Sequence, residues 1–336
     1  MTMRAMRGWQ QVVVAGVLLV AALVTASAVS TAHAQQQKLK VVATTSMIAD
    51  AVRQVGGNRV EVSALMGAGV DPHTYRQTRS DIVAMTKADV VFWHGLYLEA
   101  QLEGFFKDLA KRKKVIALAE ALPKEKLHSS AQYPGRYDPH VWMDPQLWKI
   151  VISAARDELI KLDPEGSTLF KANAERHLAE VDKLTTYAKQ VLDKVPEKTR
   201  VLITAHDAFS YFGRAFGYEV VGIQGISTES EAGLKQIEDL VQVIADREIG
   251  AIFIESSVSD RNVKALIEGA AAKGRNVVIG GELFSDAMGA PGTYEGTYIG
   301  MIDHNVTVIA RALGGTAPAG GLNNQLATTQ NIRRAD

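Results

Sequence analysis

Eight short apolar runs set the pattern of this chain. Residues 39–43, 60–66, 88–93 and 114–118 are rich in β-branched side chains, and stretches of helical spacing separate them. The same alternation returns at 200–204, 219–223, 251–254 and 276–279. Short apolar runs alternating with helix-length segments predict βαβ units around a parallel sheet. Two sets of four predict an α/β fold of two similar lobes, each a four-stranded, mainly parallel sheet flanked by helices.

One long helix is expected between the two sets. Asp163 offers an N-cap and Pro164 the first helical position. Leu178, Val181, Leu184, Ala188 and Val191 recur at helical spacing, and Pro196 stops the run. A helix over 164–194 would be about 45 Å long at 1.5 Å per residue. The expected division is a first lobe over 35–163, a linker helix over 164–194 and a second lobe over 195–336. Domains of about 150 residues fit that division. His177 sits on the linker among charged residues and reads as part of a solvated face.

The amino-terminal pattern is of another kind. Arg4 and Arg7 precede an apolar run at 12–24 and a small-x-small site at Ala32-His33-Ala34. That order reads as a cleaved secretory signal over 1–34. A membrane span needs about 20 apolar residues, which this run does not reach. The expected location is therefore the periplasm. The chain holds 37 basic and 37 acidic residues, and the leader holds two of the basic ones and no acid. The near-neutral remainder argues against nucleic acid, whose binding domains carry a strong basic excess. The absence of cysteine excludes disulfides, iron–sulfur clusters and thiolate zinc sites, and leaves no thiol for a lipid. A free monomer without a membrane anchor is the expectation.

Three histidines stand out against that background. His73 lies in GAGVDPHTY, His140 in YDPHVWMDP and His206 in VLITAHDAF, each beyond an apolar run or in a proline-marked turn. Asp286, in GGELFSDAMG, follows a fourth run. Two of the histidines end an Asp-Pro-His triplet, in which the fixed proline φ presents the imidazole from a stiff turn. Imidazoles with a carboxylate suit a borderline divalent cation such as zinc or manganese. Ligands in open α/β sheets bind beyond the carboxyl ends of the strands, where His73, His206 and Asp286 fall. Glu255 ends the run AIFIE at the same edge, either as a hydrogen-bond partner for a ligand imidazole or as an ordinary salt bridge or cap. A single histidine in each of these places would more often be a surface or hydrogen-bonded core residue.

At these residues the chain resembles the TroA-like metal-binding receptors of bacterial ABC importers. The likeness runs through TTSMIADAV, MGAGVDPHTY, DPHVWMDPQLW, RVLITAHDAFSYFGRAFG, IFIESSVSD, GGELFSDAMG and GTYEGTY. It implies two α/β lobes joined by one long helix, one buried Mn2+ or Zn2+ ion as cargo, and a membrane permease as partner. It carries the ligand roles to His73, His140, His206 and Asp286. Some manganese or iron members have Glu where this chain has His206. Zinc members commonly have a long His-rich loop before the second ligand, whereas residues 127–137 here hold only His128. Manganese is the expected cargo, by a narrow margin, although three imidazoles and one carboxylate suit zinc at least as well.

Two rival readings bear on the same residues. A secreted zinc hydrolase would need an open coordination position and a general base, and the chain lacks HExxH and nucleophile-elbow motifs. A receptor for an organic solute would use Tyr75, Trp93, Trp142 and Phe209, which more simply pack around a metal. Tyr211 and Phe212 read as core residues, and His94 as hydrogen-bonded or cleft-lining.

Overall fold

The first four apolar runs become four parallel strands, β1 (Leu39–Ala43), β2 (Val60–Ala64), β3 (Val90–Trp93) and β4 (Lys114–Ala117), in the order β2-β1-β3-β4. This computed structural model describes residues 38–130 and 133–326; the expected leader lies outside the described residues. Helix α1 (Ser46–Gly56) follows β1 and starts where the Thr45 hydroxyl accepts from the Ile48 N–H. Helix α2 (Arg79–Lys87) opens on a reciprocal box between Thr78 and Asp81. Helix α3 is Glu103–Leu109. Helix α4 (Pro145–Leu162) has Asp144 as its cap and Pro145 in its first turn.

The long helix α5 runs from Ser167 to Leu192, inside the span expected from the sequence. Its start is delayed because Pro164–Gly166 form a 3-10 turn, with the Asp163 carboxylate accepting from the Gly166 N–H. The Asp163 carboxylate also pairs with Arg59 at 2.5 Å. At 26 residues, α5 spans about 39 Å. His177 corrects the expectation of a solvated face, being 1 % exposed. It sits three residues after Ala174 and four before Val181, on the helix stripe that faces the core. Its Nδ1 lies 3.3 Å from the Glu180 carboxylate.

The second set comprises β5 (Val201–His206), β6 (Glu219–Gln224), β7 (Ala251–Glu255) and β8 (Val278–Leu283), all parallel to their partners. Helices α6 (Ser210–Phe216), α7 (Leu234–Arg247), α8 (Arg261–Ala272) and α9 (Tyr298–Ala312) connect and follow them. Where one four-stranded sheet was expected, the described residues of the second set form two two-stranded ladders, β5 with β6 and β7 with β8, with β5 lying beside β7. The ordered parts of β5 and β8 run further than their apolar text. His206 is thus the last residue of β5, and Asp286 lies three beyond the end of β8.

Both strand sets are covered on both faces, as parallel sheets require. Val41 and Ala43 of β1 enter one core, and Val42 between them enters an outer cluster with Val91 and Phe106. Leu202 of β5 enters that same first core, whereas Val201 and Ile203 enter another outer cluster with Leu266. The first core also takes Trp148 and Ile152 of α4, Val181 and Leu184 of α5, and Ile302 and Val306 of α9. It is continuous from one lobe to the other. Among the described residues no helix is long and apolar enough to cross a membrane.

Candidate metal centre

Each of the four candidate residues reaches the centre from a different element. His73 projects from the turn after β2, His140 from the loop before the 3-10 turn Val141–Met143, His206 from the end of β5 and Asp286 from the loop after β8. All four are buried, none more than 2 % exposed. One potential donor atom from each lies within 4.8 Å of all the others. The Nε2 of His140 is 3.3 Å from Nε2 of His73 and 3.3 Å from Nε2 of His206. Asp286 Oδ2 is 3.3 Å from Nε2 of His206 and 3.7 Å from that of His73, and Oδ1 is 3.4 Å from Nε2 of His140. Four donors at zinc–nitrogen distance around a tetrahedral ion would lie about 3.3 Å apart. Apart from these ring nitrogens, neither Asp286 oxygen has a hydrogen-bond donor among the described residues. A buried carboxylate in that condition faces a cation or carries a large desolvation penalty.

The rings are oriented from behind. Asp138 Oδ1 accepts from the His140 N–H at 2.9 Å and from its Nδ1–H at 2.7 Å. Glu255 Oε1 accepts from the His206 N–H at 2.8 Å, and Oε2 from its Nδ1–H at 2.6 Å. With Nδ1 held on the carboxylate, each ring in its neutral form turns an Nε2 lone pair toward the other donors. Sequence reasoning raised Glu255 and missed Asp138. The signal was present in the Asp-Pro-His triplet, since an aspartate two residues before a backbone N–H forms an Asx turn. Asp71 caps the other triplet in the same way, accepting from the His73 N–H at 2.8 Å.

Cross-lobe bonds hold the loops together. Trp142 Nε1–H donates to the Ser285 carbonyl, next to Asp286, at 2.9 Å, and its ring stands edge-on to His140 at 5.2 Å. Tyr211 is more than a core residue, because its hydroxyl donates to the Asp138 carbonyl at 2.8 Å and accepts from the His128 N–H. Of the aromatic residues raised for an organic ligand, Trp142 and Phe209 lie in the central core. Trp93 and Tyr75 pack in the outer cluster of the first lobe. His128 stacks on Tyr211 at 4.4 Å and stands outside the four-residue group, as does His177.

Electrostatics at the centre follow from burial and these partners. Burial acts to lower the pKa of His140, but the Asp138 and Asp286 carboxylates outweigh it and raise the ring to about 9. Burial likewise opposes protonation of His206, and Glu255 with Asp286 overcomes it, lifting that ring well above its ordinary value. Among the described residues His73 has no carboxylate bonded behind it, and burial lowers it to about 3 against the pull of Asp286. Burial would raise Asp286, yet His206, His140 and His73 hold it well below the usual carboxylate range. The cluster therefore attracts positive charge, and protons compete with any cation for it.

Fold and site together define a two-lobed α/β protein with a buried imidazole–carboxylate cluster where the strands of both lobes end. The family described as zinc-uptake complex component A, periplasmic, matches residues 41–312, and the chain belongs to that family. It is a family of metal-binding transport receptors rather than of enzymes. The chain is 43 % identical over 285 residues to the manganese-binding lipoprotein MntA of Bacillus subtilis, covering 84 % of this chain and 92 % of the relative. It is 44 % identical over 273 residues to the zinc-binding protein TroA of Treponema pallidum, covering 81 % and 88 % respectively. The solved structure of the periplasmic zinc-binding protein TroA from Treponema pallidum superposes with a TM-score of 0.80 at 43 % identity, covering 82 % of this chain and 99 % of that one.

Proposed function

We propose that this protein is an extracytoplasmic receptor that captures one divalent ion, manganese or zinc, and delivers it to the permease of an ABC importer. The observation that carries the reading is the convergence of His73, His140, His206 and Asp286, four buried donors of the chemistry such ions take. In this reading His140 and His206 bind through Nε2 with Asp138 and Glu255 fixing their tautomers, which is how metal-ligating imidazoles are usually held. Asp286 uses one or both oxygens, giving four or five coordination. Zinc binds such a set more tightly than manganese does on intrinsic grounds, so supply selects the ion carried. The names of the two relatives, one manganese-binding and one zinc-binding, support either ion.

The protein acts without turnover, as a free periplasmic monomer released from its 1–34 leader. The absence of cysteine supports the free state. Lobes over 35–163 and 195–336 work about the 164–194 segment, and the shared core limits their movement to small rocking or loop release. Native mass spectrometry with manganese and zinc in competition is the test. One ion per chain at neutral pH is expected, and a melting temperature raised by metal. A hundred-fold excess over Kd stabilises by about 2.7 kcal/mol. A chain that takes up neither ion refutes the reading, and recovery of the protein in washed membranes refutes the free state.

A further inference from the structure

His94 is fully buried behind the His140 turn and is not one of the four converging residues. Its Nε2 is 2.7 Å from the Pro139 carbonyl oxygen. A carbonyl can only accept, so the ring is the Nε2–H tautomer and donates there. Among the described residues its Nδ1 is buried without a partner, as the lone-pair side of that tautomer would be. Burial pushes its pKa down to about 3, so the ring is neutral. The Trp148 ring stacks within 10° of parallel at 6.3 Å, and Trp142 meets it edge-on at 5.0 Å. A donor bond and two aromatic walls leave the imidazole one orientation.

The backbone that presents His94 is held as closely. The three residues after it, Gly95, Leu96 and Tyr97, have φ of 87°, 53° and 73°. Leu96 and Tyr97 each carry a Cβ that disfavours this left-handed region. Glu99 closes the turn from within: Oε1 accepts from the His94 N–H at 2.8 Å and from the Thr44 hydroxyl at 2.6 Å, and Oε2 from the Gly95 N–H at 3.1 Å. Strain of this kind persists where surrounding groups over-determine the conformation, and it concentrates at functional sites.

We propose that His94 is a positioning residue for His140, its Nε2–H anchoring the Pro139 carbonyl while Glu99 locks the strained turn that presents it. The two carbonyls that precede His140 are then tied from different lobes, Pro139 by His94 and Asp138 by the Tyr211 hydroxyl. Without His94, the Pro139 carbonyl keeps, among the described residues, the Val141 N–H two residues on at 2.7 Å, a bond inside the turn that does not fix it to the sheet. The inference rests on His140 as a ligand of the cargo ion.

The test uses cobalt(II) as a spectroscopic probe on the full chain, well below the melting temperature of each variant. His94→Leu removes the donor at similar bulk, and His94→Gln returns an amide N–H near the Nε2 position. His94→Leu is expected to bind cobalt about tenfold more weakly with altered visible bands, the low end of what outer partners of a ligand cost. His94→Gln should bring both back toward wild type. A loss of global stability alone would leave the bands unchanged. In unsubstituted protein, imidazole 15N shifts should report His94 as Nε2–H with and without zinc, a measurement that stands even if a variant fails to fold. An Nδ1–H tautomer, or a His94→Leu protein with wild-type bands and affinity, overturns the inference. Failure of the underlying reading looks different: wild type would not bind cobalt, or His140→Ala would bind it as wild type does.

Discussion

Replacing Glu255 by Gln changes one atom type and separates two effects at His206. The carboxylate, only 4 % exposed, holds both the His206 N–H and its Nδ1–H, at 2.8 and 2.6 Å. An amide can accept at one oxygen only, so its NH2 faces one of those donors or turns the ring to the Nε2–H tautomer. In that tautomer the nitrogen facing the other donors carries a proton and cannot bind metal. Losing such a partner costs about 10- to 100-fold in metal affinity, or about 1.4 to 2.7 kcal/mol. Two bonds to a buried group place this case at the upper end. The pH dependence adds a sign. Burial opposes protonation of His206, and Glu255 is first among the groups that overcome it. In wild type, metal must therefore expel a proton across neutral pH, and affinity falls as pH drops. The variant lacks the main group that raises the ring, so its affinity falls less steeply. Competition against a chromophoric chelator between about pH 8 and about pH 6, on either side of the free imidazole value, should show the gap narrowing with acid. A variant with wild-type affinity throughout, or a gap that widens as pH falls, would refute the reasoning.

Other outcomes follow from the same geometry. His73→Ala and His206→Ala should each lower zinc affinity by at least about 100-fold as a donor is lost and water enters, while His128→Ala should leave it unchanged by isothermal titration. His177→Ala should keep wild-type affinity yet lower the metal-free melting temperature, since it empties a buried helix position; equal loss of binding in all four variants would mean the wrong histidines were chosen. The metal-free protein should lose stability as pH rises from the unfolded imidazole value of about 6.5 to about 9, because His140 is raised by its carboxylate partners and holds its proton until then. Calorimetry showing a flat or rising melting temperature over that window would contradict the assignment, and zinc saturation should remove the slope. The Thr228 hydroxyl donates across the cleft to Asp71 Oδ2 at 2.6 Å, on the turn that carries His73. Thr228→Val should speed metal release by about tenfold, in line with a hydrogen bond to a charged group; an unchanged stopped-flow release rate would remove that bond from the gating step.

Local signals carried most of the architecture. The eight apolar runs become eight strands because parallel strands buried on both faces need continuous apolar text. Asp163-Pro164 announced the long helix to within a turn because a side-chain acceptor and a fixed φ act locally. His73, His206 and Asp286 were legible as candidates because the carboxyl edge of a parallel sheet is where side chains can converge. Asp138 was within reach of the same reasoning, two residues from the ring that it orients.

What no local signal contains is distance between segments far apart in the chain. The Nε2 atoms of His73, His140 and His206 come from positions more than sixty residues apart, and lie 3.3 Å from one another through His140. His94 and Pro139 are separated by 45 residues, so a histidine with an undecided role became one with a definite partner only after folding. His177 reads as solvated by its charged neighbours and is buried by helices packed from elsewhere, while Trp93 and Tyr75 turn into an outer cluster away from the centre. Sequence alone determined the strands, the long helix to within a turn at each end, the residue types able to bind a cation and the edge at which they stand, because those depend on neighbours within a turn or a pleat. Tertiary structure decided which rings meet, which carboxylate faces each Nδ1 and which charges are stripped of water, because packing between distant segments sets those distances and the local dielectric.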